Sequence, residues 1–255
     1  MVNARVLIIN TFIDNLSKKD LLLKVFEKIE KQQKNVFIVT ANPEIVMNAQ
    51  KSPLYHDSLL KADFIIPDGF GVMLASKVLN QPLKEKIVGY ELLHTFLKHA
   101  SLTGKSVYFF GSQKGISELA AENAVKLYPN LKIAGTRDGY SGHGDRIAEE
   151  IARTKPDFLF VGLGVPLQEQ WAAKYKNLFS STVMMGVGGS FDVLSGQVKR
   201  APRVWLKYNL EWLYRLLTQP TRSKRMIQLP IFMVTVFKQK WIRANKSPKP
   251  KRRIT

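Results

Sequence analysis

Five short stretches carry residue types that bind and activate small polar ligands. They are Thr40-Ala41-Asn42-Pro43, Asp68-Gly69-Phe70-Gly71, Gly111-Ser112-Gln113-Lys114-Gly115, the run from Gly162 through Gly164 to Gln168-Glu169, and the run Gly186-Val187-Gly188-Gly189-Ser190-Phe191-Asp192. Each follows an apolar run. Glycine lets a backbone amide come close to a ligand, and a helix beginning just after such a loop offers unpaired N–H groups to phosphate. One such loop alone reads equally well as a structural turn. Five together point to a crevice for a nucleotide-type diphosphate. None has the Walker spacing, and neither Gly162-x-Gly164 nor Gly186-x-Gly188 has a third glycine at dinucleotide-binding spacing. Asp68 is the most suggestive acid. It closes the run Phe64-Ile65-Ile66. A carboxylate at a strand end beside apolar walls can serve as a general base. Capping the next helix explains the same residue equally well.

Metal chemistry has little to stand on. The chain has four histidines and no cysteine, and neither an H-E-x-x-H nor a D-x-D pattern occurs. The charge of a diphosphate leaving group then falls to arginines and backbone amides. Arg200, Arg203, Arg215, Arg222 and Arg225 follow the last glycine-rich loop. Arg222 and Arg225 are spaced to share a helix face, and the guanidinium fork suits phosphate.

The elements that must position these groups alternate. Arg5–Asn10, Asn35–Thr40, Asp63–Pro67, Ser106–Gly111, Leu131–Gly135, Asp157–Gly162 and Thr182–Val187 read as strands, several apolar throughout, as expected for strands buried on both faces. Lys18–Lys31, Pro43–Gln50, Gly71–Leu79, Tyr90–His99, Ile116–Tyr128, Asp145–Arg153 and Leu167–Lys176 read as helices. The alternation predicts an α/β, Rossmann-like fold, with a largely parallel sheet flanked by helices. In such a sheet ligands bind beyond the carboxyl ends of the strands, where all five loops fall. After Gly196 only helices are expected: Pro202–Leu217, then Thr221–Gln228, then Ile231–Asn245. The division is 1–195 for an α/β ligand-binding body, 196–246 for a helical basic appendage and 247–255 for a disordered basic tail.

The 255 residues carry a formal charge of +19. From Lys199 onward there are 16 Lys/Arg and one acid, so this segment holds +15 and the preceding body only +4. Trp205, Tyr208, Trp212, Tyr214 and Trp241 interleave with the charges, as in segments that meet an anionic membrane surface. No run approaches the ~18 apolar residues of a membrane span. A cytoplasmic protein held peripherally at the inner face of the membrane is expected. A nucleic-acid-binding protein is the rival class for a basic, aromatic tail, and the five small-ligand loops argue against it. A non-catalytic membrane scaffold is a second rival.

Asp68-Gly69-x-Gly71-Val72, Gly111-Ser112, Val161-Gly162-Leu163-Gly164-x-Pro166-x-Gln168-Glu169-x-Trp171 and the run from Gly186 to Pro202 resemble the motifs of the WecG/TagA/CpsF glycosyltransferase family. Leu210-Glu211-Trp212-Leu213-Tyr214-Arg215-Leu216 and Pro220-x-Arg222 extend the resemblance. It implies inverting, metal-independent transfer of a sugar from a UDP-sugar donor to a polyprenyl-diphosphate-linked acceptor, with no cofactor. N-acetylmannosamine passed to GlcNAc-diphospho-undecaprenol in teichoic-acid-type synthesis is the leading case; N-acetylmannosaminuronic acid and glucose are alternatives. It makes Asp68 the base, and Arg215, Arg222 and Arg225 the groups that close over the pocket. Thr40, Asn42, Lys86, Gly111, Gly164, Gln168, Gly188, Gly189 and Asp192 become substrate-binding positions. The family often has Arg and Asp where this chain has Lys86 and Glu91, which touches on the donor sugar. Apolar surface covered by the tail makes self-association a further expectation.

Overall fold

The computed structural model describes residues 4–31, 35–142, 144–218 and 228–246. The side chains of Arg215 and Lys246 lie outside that description. Six strands form one wholly parallel sheet in the order β4-β3-β8-β7-β5-β6. They are β3 (Val36–Ala41), β4 (Phe64–Pro67), β5 (Ser106–Gly111), β6 (Lys132–Arg137), β7 (Phe158–Gly162) and β8 (Val183–Gly186). Alternate side chains of each strand point to opposite faces, and this splits the core in two. Phe37, Val39, Ile65, Phe110, Leu159, Val161 and Met184 pack on one side. Val36, Ile38, Phe64, Ile66, Phe109, Phe158, Phe160 and Met185 pack on the other. Both faces are apolar because helices cover both, which is why the strands read as unbroken hydrophobic runs.

Helices α1 (Lys18–Glu30), α5 (Gly89–Thr103) and α6 (Ile116–Leu127) supply Leu21, Val25, Phe96, Leu97, Ala120 and Ala124 to the second layer. The first layer holds α2 (Pro43–Lys51), α3 (Pro53–Leu60), α4 (Phe70–Val78), α7 (Gly144–Arg153) and α8 (Leu167–Tyr175). Helix starts follow local chemistry. Ser17 and Asp20 form a capping box on α1. Asn42 caps α2, and Pro43 occupies its first turn.

Three readings of the sequence need correction. The run at residues 5–10 is a strand, but not of the main sheet. β1 (Arg5–Ile8) pairs antiparallel with β2 (Thr11–Asp14) in a separate hairpin. Asp14 fixes it: fully buried, it pairs with Arg5 at 2.9 Å and accepts from the Ile65 N–H at 2.8 Å. Helix α3 was not anticipated, although Ser52 accepts from the Tyr55 N–H and Pro53 starts the helix. The single helix expected over 202–217 is two, α10 (Arg203–Lys207) and α11 (Glu211–Thr218), broken where Asn209 takes a φ of 58°. The short α9 (Ser190–Leu194) precedes them.

The C-terminal helix, Gln228–Lys246, packs on α2 and α4 and sends Phe232 and Val236, both fully buried, into the first core layer. Gln239 accepts from the Ile9 N–H at 2.8 Å and donates to the Leu7 carbonyl at 3.2 Å, and Arg243 donates to the same carbonyl. The helix is therefore clamped to the hairpin. The expected helix at 221–228 lies, except for Gln228, outside the described residues, as does the tail 247–255. No described helix is long and apolar enough to cross a membrane.

Candidate active site

A cavity of about 460 Å³ lies over the carboxyl ends of β4, β3, β8 and β7. Thr40 lies near the end of β3 and Asn42 just after it, Asp68 and Gly69 follow β4, Gly164 and Gln168 follow β7, and Gly186 ends β8, with Val187 to Ser190 after it. Four of the five loops read from the sequence converge here. The fifth, Gly111 to Gly115, is not part of the lining, because β5 lies beyond β7 in the sheet. Gly111 has its own structural reason for being glycine. Its φ is +121°, and a Cβ there would stand 2.5 Å from the Gly162 carbonyl carbon.

Asp68 leaves the sheet at the end of β4, its N–H bonded to the Ala41 carbonyl at 2.8 Å. It does not serve as the N-cap residue of α4, which is Gly69. The start of α5 comes down on this point. A Cβ added to Gly89 would lie 3.3 Å from both Asp68 Oδ2 and Thr40 Cγ2. Only a residue without a side chain fits there comfortably, so Gly89 brings α5 against the carboxylate. Asn42 lines the same wall while its Oδ1 accepts from the Ile45 N–H at 3.0 Å. What Asn42 can offer a ligand is therefore its amide N–H.

The β7 and β8 loops are tied together beneath the cavity. Gln168, buried, accepts from the Gly188 N–H through Oε1 at 2.9 Å and donates from Nε2 to Glu169 Oε1 at 2.6 Å. Glu169 is 1% exposed, and its second oxygen accepts from the Tyr55 hydroxyl at 2.9 Å. Burial pushes the Glu169 carboxyl up to about 7, partly offset by the donated bonds from Gln168 and Tyr55. The Gly188 amide, at a position expected to bind substrate, is thus committed to Gln168.

The rim carries the charges. Lys86 Nζ donates to Asn209 Oδ1 at 2.6 Å. Arg200 pairs with Glu91 at 2.9 Å and lies over the Tyr90 ring at 4.8 Å. Leu206, Trp212 and Leu229 give this side an apolar wall, and Glu44 and Glu211 add carboxylates. Among the described residues no group of three or more His, Asp or Glu is placed to hold a metal ion.

Of the positions named from the sequence, Thr40, Asn42, Asp68, Lys86, Gly164, Gln168, Gly188 and Gly189 line one cavity. Asp192 does not; it stands in the first turn of α9, its carbonyl accepting from the Val198 N–H at 2.9 Å. Arg222 and Arg225 lie outside the described residues. Arg215 is on α11, with its side chain outside them too. The sequence reading passed over Tyr55 and did not include Asn209 in the site. Their partners lie 114 and 123 residues away, a pairing no local pattern records. The Ser52-Pro53 helix start was the one available pointer to Tyr55.

The family model described as "Glycosyl transferase WecG/TagA/CpsF family" matches residues 6–246. Among similar curated proteins, one from Bacillus spizizenii (strain ATCC 23059 / NRRL B-14472 / W23) is 44% identical over 217 residues, covering 85% of this chain and 84% of its own. One from Bacillus subtilis (strain 168) is 39% identical over 244 residues, covering 96% and 92%. One from Staphylococcus aureus (strain NCTC 8325 / PS 47) is 38% identical over 242 residues, covering 93% and 94%. Each bears the name N-acetylglucosaminyldiphosphoundecaprenol N-acetyl-beta-D-mannosaminyltransferase.

Proposed function

The chain belongs to the WecG/TagA/CpsF family of glycosyltransferases, and from that membership we propose that it transfers N-acetylmannosamine from UDP to a GlcNAc-diphospho-undecaprenol-type acceptor, with inversion and without a metal, in the synthesis of a teichoic-acid-like surface polymer. The observation that carries this reading is the placement of Asp68 at the end of a cavity over four parallel strand ends. The acceptor hydroxyl attacks the anomeric carbon and gives its proton to the Asp68 carboxylate. The new C–O bond forms as the bond to UDP breaks on the opposite side, so the electron pair leaves with the diphosphate. Lys86 and Arg200 are the described cations lining the cavity, and Arg215, Arg222 and Arg225 complete the charge around the leaving group. Arg200 is already paired with Glu91, which favours an uncharged donor sugar over a uronic acid.

Membrane contact belongs to the C-terminal helix. Ile231, Val234, Phe237, Trp241 and Ile242 are exposed, with Lys238 and Lys240 beside them. The opposite face holds the helix to the body. An apolar stripe flanked by cations is how an interfacial helix meets an anionic surface.

The decisive experiment offers a panel of UDP-sugars with synthetic GlcNAc-diphospho-lipid to the full chain and reads the product by mass spectrometry. The expected product is heavier by one N-acetylhexosamine, forms from UDP-N-acetylmannosamine, has inverted anomeric configuration and survives chelator. No product from any UDP-sugar would overturn the donor assignment, and loss of product on chelation would overturn the metal-free step.

A further inference from the structure

The cavity is lined in part by a loop whose shape depends on a buried acid that the transfer itself does not use. We propose that Glu169, held by Tyr55, is a positioning residue that fixes the orientation of the Gln168 amide and, through it, the Gly188 N–H at the cavity wall. This deepens the glycosyltransfer reading and rests on it only for the kinetic consequence.

The bonding pattern is directional. Glu169 Oε1 accepts from Gln168 Nε2 at 2.6 Å, and Oε2 accepts from the Tyr55 hydroxyl at 2.9 Å. An amide group has one donor end and one acceptor end. With its nitrogen turned to Glu169, Gln168 must present its oxygen to Gly188, and its Oε1 accepts from that N–H at 2.9 Å. Turned over, Gln168 would set nitrogen against an N–H and oxygen against a carboxylate oxygen. Both bonds would be lost in a place with almost no water: Gln168 is 3% exposed and Glu169 1%. The backbone leaves no slack either. An added Cβ at Gly186 would stand 2.8 Å from Gln168 Nε2 and 3.2 Å from Glu169 Oε1. The acid and amide thus lie directly against the last residue of β8, where the chain enters the Gly188–Gly189 turn.

The full arrangement, with both side-chain partners donating, belongs to the ionised Glu169. Both side-chain partners donate, so both carboxylate oxygens must accept. A proton on Oε1 turns the Gln168 amide and releases Gly188, whereas a proton on Oε2 forces the Tyr55 hydroxyl to reverse. The groups acting on this carboxyl are Gln168 and the Glu169 backbone N–H of α8 itself, Tyr55 from α3 and Glu44 from α2, the last a like charge that adds to the effect of burial. Asp145 of α7 is engaged at the far end of α8, with Lys174 and Tyr175. The carboxyl, pushed up to about 7 by burial, changes state near neutral pH and can be followed there.

The test uses the full chain, labelled with ¹⁵N in glycine only, with the Gly188 amide identified by its loss in Gly188→Ala. In the unaltered protein that resonance is expected to titrate with a midpoint near 7. Tyr55→Phe removes a bond that favours the ionised form, so the midpoint moves up. Glu169→Gln abolishes the titration while the other glycine signals keep their folded dispersion. A Gly188 amide that does not titrate in the native chain, or that titrates unchanged in Glu169→Gln, overturns the proposal. Kinetics add the second readout, kcat for UDP release against pH. It should rise through the same midpoint in the native chain, shift in Tyr55→Phe and lose that inflection in Glu169→Gln. Glu169→Ala, which frees Gln168 to turn, should lower kcat by up to about 10²-fold, the scale of a small misplacement at a reacting centre. A kcat profile unmoved by Tyr55→Phe and Glu169→Gln would refute the link to catalysis. Failure of the unaltered chain to turn over any UDP-sugar would sink the donor reading instead, and the amide titration would still decide the role of Glu169.

Discussion

Two carboxylates at this site stand in different surroundings, which suit them to different work. Asp68 sits half-buried at the cavity, close to the start of α5 at Gly89. Asp68→Ala should lower kcat by roughly 10²–10⁴, the range of a lost general base, with little change in donor KM; activity within a few fold of native would place the base elsewhere. Glu169 is fully enclosed, and its carboxyl is raised from 4.5 to about 7. The folded chain therefore keeps a proton that the unfolded chain has lost between those two values, so this group's stabilisation fades as pH rises through that window. Thermal unfolding of Glu169→Gln followed across that range should show a flatter dependence on pH than the native chain. An identical slope in both proteins would show that burial does not raise this carboxyl. Activity and stability are thus expected to move in opposite directions with pH, a trade that functional sites often make.

Among the elements, the C-terminal helix has two faces with separable roles. Phe232 and Val236 are fully buried on α2 and α4, while Val234, Phe237 and Trp241 face outward. Phe232→Ala should cost about 3–5 kcal/mol of stability, the scale for emptying a packed aromatic site, as read by denaturant unfolding. Replacing Val234, Phe237 and Trp241 together with serine should leave unfolding nearly unchanged and weaken sedimentation with anionic vesicles. Equal loss of stability from both sets would mean that the outward face is packed in solution too. The spacing of apolar residues identified this segment as a helix. Its inward face is set by Phe232 and Val236 in the core and by Gln239 and Arg243, whose bonds to the Leu7 and Ile9 backbone reach 230 to 236 positions back along the chain.

At the scale of the whole molecule, body and appendage share a core. The division near residue 195 marks a real change in composition, from a net +4 to +15. Yet Phe232 and Val236 belong to the same apolar layer as Phe37, Val39 and Leu159. The cavity is likewise assembled across that division, with Arg200, Leu206, Asn209 and Trp212 on one side and Lys86, Tyr90 and Glu91 on the other. A chain ending at Gly196 should therefore melt at lower temperature than the full chain, self-associate through the uncovered apolar layer and lose turnover. A monomeric truncated chain of unchanged thermal stability would contradict this.

By itself the sequence determined the α/β class, most element positions, the four loops that meet at the cavity, and the place of Asp68 among its lining residues. These depend on local spacing: apolar period, caps and glycine-marked strand ends are written within a few residues of where they act. Tertiary structure decided the rest. It set β5 beyond β7 and so left Gly111 out of the cavity lining, drew β1 into a separate hairpin, and brought Tyr55 to Glu169 and Asn209 to Lys86. It also turned Gln168 from a residue expected around the sugar into the group that holds Gly188. Strand order and long-range hydrogen bonds come from packing whole layers together, and that depends on all the apolar surface at once. No short window of residues contains that information.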